Sequence, residues 1–304
     1  MNATAFMQRY AQLGERFEPA GIHAQSCIRV NTLKITTAAL QERLETKGAR
    51  LIPVPFLDDA FYYEASFSLG ATPEYLLGYY YLQDAASQLP AIVLGPSAGD
   101  LVLDMAASPG GKTTQMAAMM HNEGSIIALD VNSHRLGALR NNCERLNVRN
   151  VLMLKKDARF CLDLKMYFSK ILLDAPCSGN FCVEPSFFDI KTLQGVVERS
   201  RLQKELFKAA ARVLAPGGTL VYSTCSLEPE ENELLVHWAL AKYPELQLVP
   251  TGLRVGDPGL VQVFGQELSP EIAKCRRFWP HKTGTEGFFI AKFIKKQAQQ
   301  ESDV

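Results

Sequence analysis

From Leu101 onward, short apolar runs alternate with longer amphipathic segments, and this alternation constrains the fold of the 304-residue chain more than any other feature. Each run leads to an acidic residue or a cysteine: LVLD to Asp104, SIIALD to Asp130, VLMLKKD to Asp157, KILLDAPC to Cys177 and TLVYSTC to Cys225. The segments between them, such as HRLGALRNNCERL, have the apolar period of helices. Strands and helices that alternate in this way predict an α/β fold, a doubly wound parallel sheet with helices on both faces.

The carboxyl ends of the predicted strands are the expected place for function. In open parallel sheets, ligands bind beyond these ends, where the order of the strands reverses. The polar residues that follow the strands are Asp104, Asp130, Asp157, Asp174, Cys177 and Cys225. We therefore expect them to face one crevice, with the two cysteines close together because strands four and five are consecutive.

The stretch DMAASPGGKTT, from Asp104 to Thr114, follows the first predicted strand and resembles a phosphate-binding loop. Such a loop needs Gly, four residues, then Gly-Lys-Ser/Thr, and here Ala106 occupies the place of the first Gly. The stretch still predicts a tight turn and a helix that begins near Lys112, a geometry that suits any ligand approaching the backbone closely. This stretch alone does not identify the ligand. The candidate binding residues are Ala106, Ala107, Ser108, Pro109, Gly110, Gly111 and Lys112.

The acidic strand ends narrow the choice of ligand. Asp130 ends the strand after the Gly-rich turn, a position from which a carboxylate can bind two ribose hydroxyls or cap the next helix, and spacing leaves both open. Asp157 can take an adenine amino group, and Asp174 adds a further negative charge. S-adenosylmethionine carries a sulfonium and an ammonium group, which ATP and NAD lack. The strand ends thus favour S-adenosylmethionine over a P-loop ATPase, whose polyphosphate they would repel.

The residues before Leu101 predict a separate small α+β domain. CIRVNTLKI is strand-like, TTAALQERLETKG predicts a helix capped by Thr37, and Asp84 is a candidate N-cap for a helix that leads into the larger domain. We expect a small domain over residues 1–82, a larger one over 83–296 and a flexible tail over 297–304.

Composition and cysteine usage limit the partners. The formal net charge is zero, so any contact with RNA needs local positive charge. No apolar run reaches membrane-spanning length and the first residues lack the pattern of a signal peptide, so we expect a cytoplasmic protein without membrane contact. Seven cysteines without C-x-x-C spacing predict no metal site. Four of them are interpreted as inert packing: Cys27, Cys143, Cys161 and Cys275.

Several motifs together resemble the Nop/Sun-type RNA cytosine-5 methyltransferases over nearly the whole chain. DAPCSG (174–179) and STCS (223–226) are specific as a pair; the other matching motifs are RVNTLK, QDAAS, DMAASPGGKTT, ALDVNSHR and RFWPHKTGTEGFFIAKF. The short length, without a recognisable additional RNA-binding module, is most similar to the archaeal tRNA methyltransferases of this family. The resemblance implies a Rossmann-like class I methyltransferase that uses S-adenosyl-L-methionine to form 5-methylcytidine in RNA. It favours tRNA over rRNA as the substrate. An inactive RNA-binding assembly factor is the remaining alternative.

The resemblance also implies a role for each site residue. Cys225 matches the nucleophile that adds to cytosine carbon 6, and Cys177 the cysteine that assists loss of the carbon 5 proton and release of product. Asp174, with Lys112 nearby, matches the residue that binds the cytosine edge. The residues that match the donor site are Ala106 to Lys112, Asp130, Arg135 in ALDVNSHR, Asp157 and Asp174.

Two further expectations concern the surroundings of this site. The predicted helix PEENELLVHW begins at Pro229, and its first turn carries glutamates that oppose thiolate formation at Cys225: Glu228, Glu230, Glu231 and Glu233. We therefore expect the bound substrate to assist formation of the thiolate. The candidates for RNA contact are Arg29, Asn31 and the RRFWPHK segment. Six aromatic residues could stack on bases but are interpreted as core: Tyr62, Tyr63, Phe67, Tyr79, Tyr80 and Tyr81.

Overall fold

The computed structural model describes residues 3–182, 184 and 186–297, so the predicted tail lies outside the described residues from position 298 on. The N-terminal part contains an antiparallel sheet of four strands in the order β2-β3-β1-β4. The strands are β1 (Cys27–Val30), β2 (Arg50–Pro53), β3 (Ala60–Glu64) and β4 (Tyr80–Leu82). Two helices accompany the sheet: α2 (Thr37–Thr46) and α3 (Pro73–Leu76). Thr36, rather than the predicted Thr37, caps α2, since its side chain accepts from the backbone N–H of Ala39.

The first helix, α1 (Ala3–Gln12), lies away from this small sheet. Its Phe6 ring lies 5.9 Å from that of Phe187, and its Tyr10 ring lies 5.9 Å from that of Trp279. Both partners belong to the C-terminal part of the chain. The helix therefore buries its aromatic side chains against the larger unit.

The larger sheet has at its centre the five parallel strands that the sequence predicts. They are β5 (Leu101–Asp104), β6 (Ser125–Asp130), β7 (Val151–Lys155), β8 (Phe168–Asp174) and β9 (Leu214–Thr224), in the spatial order β9-β8-β5-β6-β7. The chain builds β6 and β7 on one side of β5 and then returns to β8 on the other side. The strand order thus reverses between β5 and β8, which opens a crevice at their carboxyl ends.

Antiparallel strands extend the sheet beyond β9, so it is mixed rather than wholly parallel. These strands are β10 (Leu246–Val249), β11 (Asp257–Pro258), β14 (Arg276–Phe278) and β15 (Phe288–Lys295), and a separate ribbon pairs β12 (Gln262–Val263) with β13 (Gln266–Glu267). β15 runs antiparallel to β9, with Phe289 opposite Thr224. This register brings the start of β15 to the sheet edge where β9 ends.

Helices cover both faces of the large sheet, as expected for a doubly wound fold. They are α4 (Ala85–Leu94), α5 (Gly111–Met119), α6 (Ser133–Arg145), α7 (Phe187–Ile190), α8 (Leu193–Val213), α9 (Glu233–Lys242) and α10 (Pro280–Thr283). Because side chains alternate along a strand, Val102 packs in the core that holds α4 and α5, and Leu103 packs in the core that holds α8 and α9. Asp84 caps α4, which confirms its predicted role. Among the described residues, no helix combines the length and apolar character that crossing a membrane requires.

The predicted start of α9 at Pro229 is wrong, because the helix begins four residues later, at Glu233. The preceding segment is held in turns by its own hydrogen bonds. Asn232 accepts from the hydroxyl of Thr224 and donates to the carbonyl of Ser226, and the carbonyl of Glu231 accepts from the hydroxyl of Tyr222. These hydrogen bonds to the end of β9 and the turn after it outweigh the helix signal of a proline followed by glutamates.

Candidate active site

The two cysteines at the ends of β8 and β9 lie in contact. The strands are parallel neighbours with Asp174 opposite Ser223, so the loops that follow them leave the sheet side by side. The Sγ atoms of Cys177 and Cys225 are 2.9 Å apart, which confirms the expected proximity. At this distance one sulfur donates its hydrogen to the other.

The thiol of Cys225 is held in its neutral form. The hydrogen bond between Cys225 and Cys177 raises the pKa of Cys225 well above its ordinary value, and burial and the nearby carboxylates Asp174 and Glu286 act in the same direction. A thiolate, rather than a thiol, is the nucleophilic form of cysteine. The site without substrate therefore keeps its candidate nucleophile unreactive.

The glutamates between Glu228 and Glu233 are not the cause of this, contrary to the sequence-based expectation, because other groups engage them. Glu228 pairs with Arg9 and Lys191, and Glu233 pairs with Arg277. Glu230 also pairs with Arg9. Only Glu233 lies in the first turn of α9.

Glu231 connects the two cysteine loops instead. Its carboxylate accepts from the backbone N–H of Ser178 at 3.0 Å and from the hydroxyl of Ser226 at 2.7 Å. Each serine directly follows one of the cysteines in the chain. The carboxylate therefore fixes the relative position of Cys177 and Cys225.

Asn180 is a site residue that sequence reasoning missed. Its side-chain amide donates to the carbonyl of Cys225 at 2.9 Å and to the carbonyl of Gly287 at 3.2 Å, and the side chain is fully buried. It thereby joins three loops that are distant in sequence. The only local signal was an asparagine directly after the glycine of DAPCSG.

Lys112 and Asp174 form an ion pair beside the cysteines. Lys112 lies in the first turn of α5, and its Nζ atom is 2.8 Å from Oδ2 of Asp174. The other carboxylate oxygen of Asp174 accepts from the hydroxyl of Ser223 at 2.7 Å. Burial lowers the pKa of Lys112, but the carboxylate of Asp174 more than compensates and the net shift is upward. The ammonium group thus stays charged.

The Gly-rich turn packs closely between α5 and α6. Gly110 has a φ of +110°, and a Cβ atom there would lie 2.7 Å from the side chain of Leu139, so only glycine fits. Asp104 is buried below the turn and accepts from the hydroxyl of Thr113 at 2.7 Å. Burial raises the pKa of Asp104 to about 6. Asp104 therefore supports the turn from beneath and lies off the largest cavity of the site.

A cavity of about 530 Å³ lies over the switch point, within the range typical of small-molecule sites. It brings together most of the predicted residues, namely Ala106, Ser108, Asp130, Arg135, Asp157, Asp174, Cys177 and Cys225. A smaller cavity of about 280 Å³ adds Ala107, Pro109, Gly111 and Lys112. Gly110 lines neither cavity and acts through the shape of the turn.

Asp130 lines the larger cavity. It is 4% exposed, and its Oδ1 atom accepts from the backbone N–H of Asn132. Asn132, and not Asp130, caps α6. The Oδ2 atom lies 3.8 Å from Nε of Arg135, whose guanidinium also donates to the carbonyl of Ser108. Helix capping therefore does not account for Asp130, and a ligand hydroxyl can reach its carboxylate.

Asp157 and Ser108 complete the polar lining of the larger cavity. The carboxylate of Asp157 pairs with Arg159 at 2.6 Å, and this hydrogen bond lowers the pKa of Asp157. The hydroxyl of Ser108 is buried without a hydrogen-bond partner in the part of the chain that the structure describes. A buried hydroxyl without a partner is costly, so a polar ligand at this turn would satisfy it. In residues 3–182, 184 and 186–297, no three His, Cys, Asp or Glu side chains form a cluster that could hold a metal ion.

The residues that sequence analysis assigned to RNA contact are mostly buried. Arg29 donates to the carbonyl of Gly111 at 2.5 Å and to the hydroxyl of Thr114 at 2.9 Å. Asn31 donates to the carbonyls of Gly78 and Leu146. Both side chains tie the small sheet to the larger unit, and this role accounts for them without any contact with RNA.

The middle of the RRFWPHK segment is likewise part of the interior, whereas Arg276 and His281 are half-buried and Lys282 is exposed. Arg277 is fully buried against Glu233, and Phe278 and Trp279 are buried beside it. Of the six aromatic residues interpreted as core, Tyr62 and Tyr80 are buried as expected. The other four are only half-buried: Tyr63, Phe67, Tyr79 and Tyr81. The four cysteines interpreted as inert are also buried: Cys27, Cys143, Cys161 and Cys275.

Family profiles match both parts of the chain. The profile described as 16S rRNA methyltransferase RsmB/F matches residues 91–294, and that described as the N-terminal domain of 16S rRNA methyltransferase RsmF matches residues 4–85. The first match alone covers more than half of the chain. The chain belongs to the RsmB/F methyltransferase family. This membership confirms the resemblance to the Nop/Sun-type enzymes and the class I methyltransferase fold, and RsmB/F methyltransferases use S-adenosylmethionine.

Individual relatives of the RsmB/F family match over nearly their whole length. The tRNA (cytosine(49)-C(5))-methyltransferase of Pyrococcus abyssi is 39% identical over 88% of this chain and 87% of its own. A methyltransferase homolog protein from Pyrococcus horikoshii is 40% identical, with a TM-score of 0.85 over 96% and 95% of the two chains. NSun6 from Pyrococcus horikoshii, solved with SFG, is 29% identical, with a TM-score of 0.82 over 96% and 94%.

Other curated relatives in the RsmB/F family are longer proteins. Those first matched are named rRNA cytosine-C5 methyltransferases or ribosomal RNA small subunit methyltransferase F, from organisms that include human, mouse and fission yeast. The chain spans only between 36% and 58% of their length.

Proposed function

We propose that this protein transfers a methyl group from S-adenosylmethionine to carbon 5 of a cytidine in RNA. The observation that carries the proposal is the pair of cysteine sulfurs 2.9 Å apart, beside the Lys112–Asp174 ion pair, at the wall of the 530 Å³ cavity. Two thiols at this position serve a reaction that needs both a nucleophile and a group that moves a proton. An inactive RNA-binding factor has no chemical need for this arrangement.

The polar groups that line the larger cavity suit each part of S-adenosylmethionine. Asp130 would hold the ribose hydroxyls, and Asp157 would accept from the adenine amino group. The Gly-rich turn, with the unpartnered hydroxyl of Ser108, would bind the methionine end. Bound there, S-adenosylmethionine supplies an electrophilic methyl group. Arg135 positions Asp130 and the carbonyl of Ser108 from the start of α6.

The protein side chains would make carbon 5 of cytosine nucleophilic. Cys225 adds to carbon 6 of the ring while its thiol proton passes, by way of the Asp174 carboxylate, to ring N3, which places electron density on carbon 5. Asp174 binds the edge of the base, and the ammonium of Lys112 stabilises the charge that develops on the ring. After methylation, Cys177 in its thiolate form accepts the proton from carbon 5. The electrons of that bond form the double bond to carbon 6, and Cys225 leaves as a thiolate that takes back the proton from N3. Because chemistry on a ring carbon requires an unstacked base, the target cytidine must be flipped or unpaired.

Transfer RNA is the proposed substrate class, with ribosomal RNA as the second candidate. The support is the near-complete mutual coverage with the archaeal tRNA methyltransferase, against partial coverage of the longer rRNA methyltransferases.

We also infer a division near residue 83 between a small N-terminal domain and the methyltransferase domain. Support comes from the two family profiles, which meet between residues 85 and 91, although α1 packs on the larger unit.

Methyl transfer from labelled S-adenosylmethionine to unmodified tRNA and rRNA fragments tests the proposal. We expect 5-methylcytidine in tRNA, complete loss of product with Cys225→Ala, and a covalent protein–RNA complex that accumulates with Cys177→Ala. Donor binding without transfer to any RNA would overturn the proposed function. Faster transfer to rRNA fragments than to tRNA would overturn only the substrate class.

A further inference from the structure

Glu286 lies in the smaller cavity of about 280 Å³, next to the proposed catalytic residues. This cavity shares Ala106, Ser108 and Asp174 with the larger one, and Lys112 also lines it. Glu286 reaches it because β15 begins where β9 ends, with Phe289 opposite Thr224. The buried amide of Asn180, bonded to the carbonyls of both Cys225 and Gly287, fixes the Glu286 loop against the Cys225 loop.

The other carboxylates of this cavity are already occupied by donors of the protein. Asp174 accepts from Lys112 and Ser223, and Asp104 accepts from Thr113. The oxygens of Asp84 accept from three backbone N–H groups, those of Ala86, Ser87 and Glu286. Among the described residues that line the cavity, Glu286 is the one acid whose carboxylate has neither a hydrogen bond nor an ion pair within the protein. A free acceptor thus faces the cavity beside a charged donor, Lys112.

This pairing matches the edge of a cytosine ring. Cytosine presents an exocyclic amino donor at carbon 4 and acceptors at N3 and O2, and a carboxylate is the natural acceptor for that amine. Uracil has an oxygen in place of the amine, which a carboxylate repels. We propose that Glu286 accepts a hydrogen bond from the 4-amino group of the target cytosine and so selects cytosine over uracil. The proposal rests on the proposed function and adds a specificity residue to it.

The charge on Glu286 is sensitive to pH near neutrality. Burial, with the neighbouring carboxylate of Asp84, raises the pKa of Glu286 to about 7, while Lys112 opposes the shift. The charged and titratable groups that face it are Asp84 before α4, Lys112 on α5, Asp174 after β8, Cys182 in the loop before α7 and Cys225 after β9. Below pH 7 the carboxyl group holds a proton and becomes a donor. Selection of cytosine therefore weakens as the pH falls.

The test uses a tRNA in which the cytidine methylated by the wild-type protein has first been mapped. Transcripts with cytidine or uridine at that position are compared for wild type, Glu286→Gln and the control Glu267→Gln, an exposed glutamate on β13. For Glu286→Gln we expect kcat/KM on cytidine to fall by about 30-fold or more, the charged acceptor being lost. We expect the ratio of uridine to cytidine turnover to rise, because the glutamine amide can donate to the uracil oxygen. The affinity for S-adenosylmethionine should stay unchanged.

The pH profile separates recognition from a structural effect. The ratio of wild-type to Glu286→Gln kcat/KM on cytidine should rise between pH 6 and 8 as Glu286 ionises, by about tenfold per pH unit below the pKa, because ionisation of Cys225 affects both proteins alike and cancels in the ratio. An unchanged ratio of uridine to cytidine turnover in Glu286→Gln would overturn the proposal while the proposed function stands. Absence of methyl transfer by the wild type would overturn the proposed function, and this proposal with it.

Discussion

The side-chain amide of Asn180 donates to the carbonyl oxygen of Cys225 across 2.9 Å, between two loops that are 45 residues apart in the chain. The same amide also bonds Gly287, so one buried side chain sets the spacing of three loops around the candidate site. Such a group positions the candidate catalytic residues without touching the reacting atoms.

We therefore predict that Asn180→Ala lowers both stability and turnover. The substitution leaves two buried carbonyls without donors, which should cost about 1–3 kcal/mol in the free energy of unfolding. Displacement of Cys225 should lower kcat more than it changes the affinity for S-adenosylmethionine. Urea denaturation, steady-state kinetics and calorimetric titration of the donor measure these three quantities. Wild-type kcat in a destabilised Asn180→Ala protein would contradict the positioning role.

A second prediction concerns the reactivity of Cys225 in the absence of RNA. Because its pKa lies well above the ordinary value, the thiolate is scarce at neutral pH, and alkylation of Cys225 should be slower than that of free cysteine. The rate should increase as the pH rises toward the shifted pKa.

The largest contribution to that shift comes from Cys177. Cys177→Ala should therefore accelerate alkylation of Cys225 at pH 8, and mass spectrometry of the modified peptide gives both rates. The buried Cys143 serves as an internal reference that should stay unmodified in the folded protein. A measured pKa of Cys225 well below that of free cysteine would refute the expectation that bound RNA assists thiolate formation.

A third prediction concerns the donor site. Asp130→Asn should weaken binding of S-adenosylmethionine about 10- to 100-fold, because a carboxylate that accepts from ribose hydroxyls contributes about 1.4–2.8 kcal/mol. The matched control is Asp163→Asn, an acid in an exposed ion pair with Lys156. Isothermal titration of both variants measures the effect, and equal affinities would remove Asp130 from the donor site.

A fourth prediction addresses the connection between the two sheets. Arg29 is buried and binds the first turn of α5, so Arg29→Ala leaves the carbonyl of Gly111 and the hydroxyl of Thr114 without that donor. We expect a loss of about 2–4 kcal/mol in the free energy of unfolding. The dependence of RNA affinity on salt should keep its slope, because Arg29 neutralises no phosphate. A shallower slope in the Arg29→Ala protein would restore Arg29 as an RNA contact.

Much of the fold followed from local patterns. The sequence predicted the five central strands, the helices between them and the cap at Asp84. It could do so because apolar periodicity and capping residues act over a few neighbouring residues. The proximity of Cys177 and Cys225 also followed, because consecutive strands of such a sheet tend to be adjacent.

Other features depended on contacts between distant parts of the chain. The glutamates from Glu228 to Glu231 have a helix-start pattern, yet they lie outside α9, where Glu228 pairs with Arg9 and with the buried Lys191 from other parts of the chain. Arg29 and Asn31 are polar in sequence but buried in the structure, a difference that composition cannot reveal.

The sequence by itself determined the doubly wound sheet, the family and the residues at its strand ends, because each is encoded in short stretches that are read locally. Only the tertiary structure decided which polar groups pair with one another and which remain free to bind. Glu286 is the clearest case: it lies 61 positions after Cys225 and reaches the same sheet edge only through the antiparallel pairing of β15 with β9. Burial and partners are properties of the packed chain, so the acceptor that remains unpaired becomes evident only after folding.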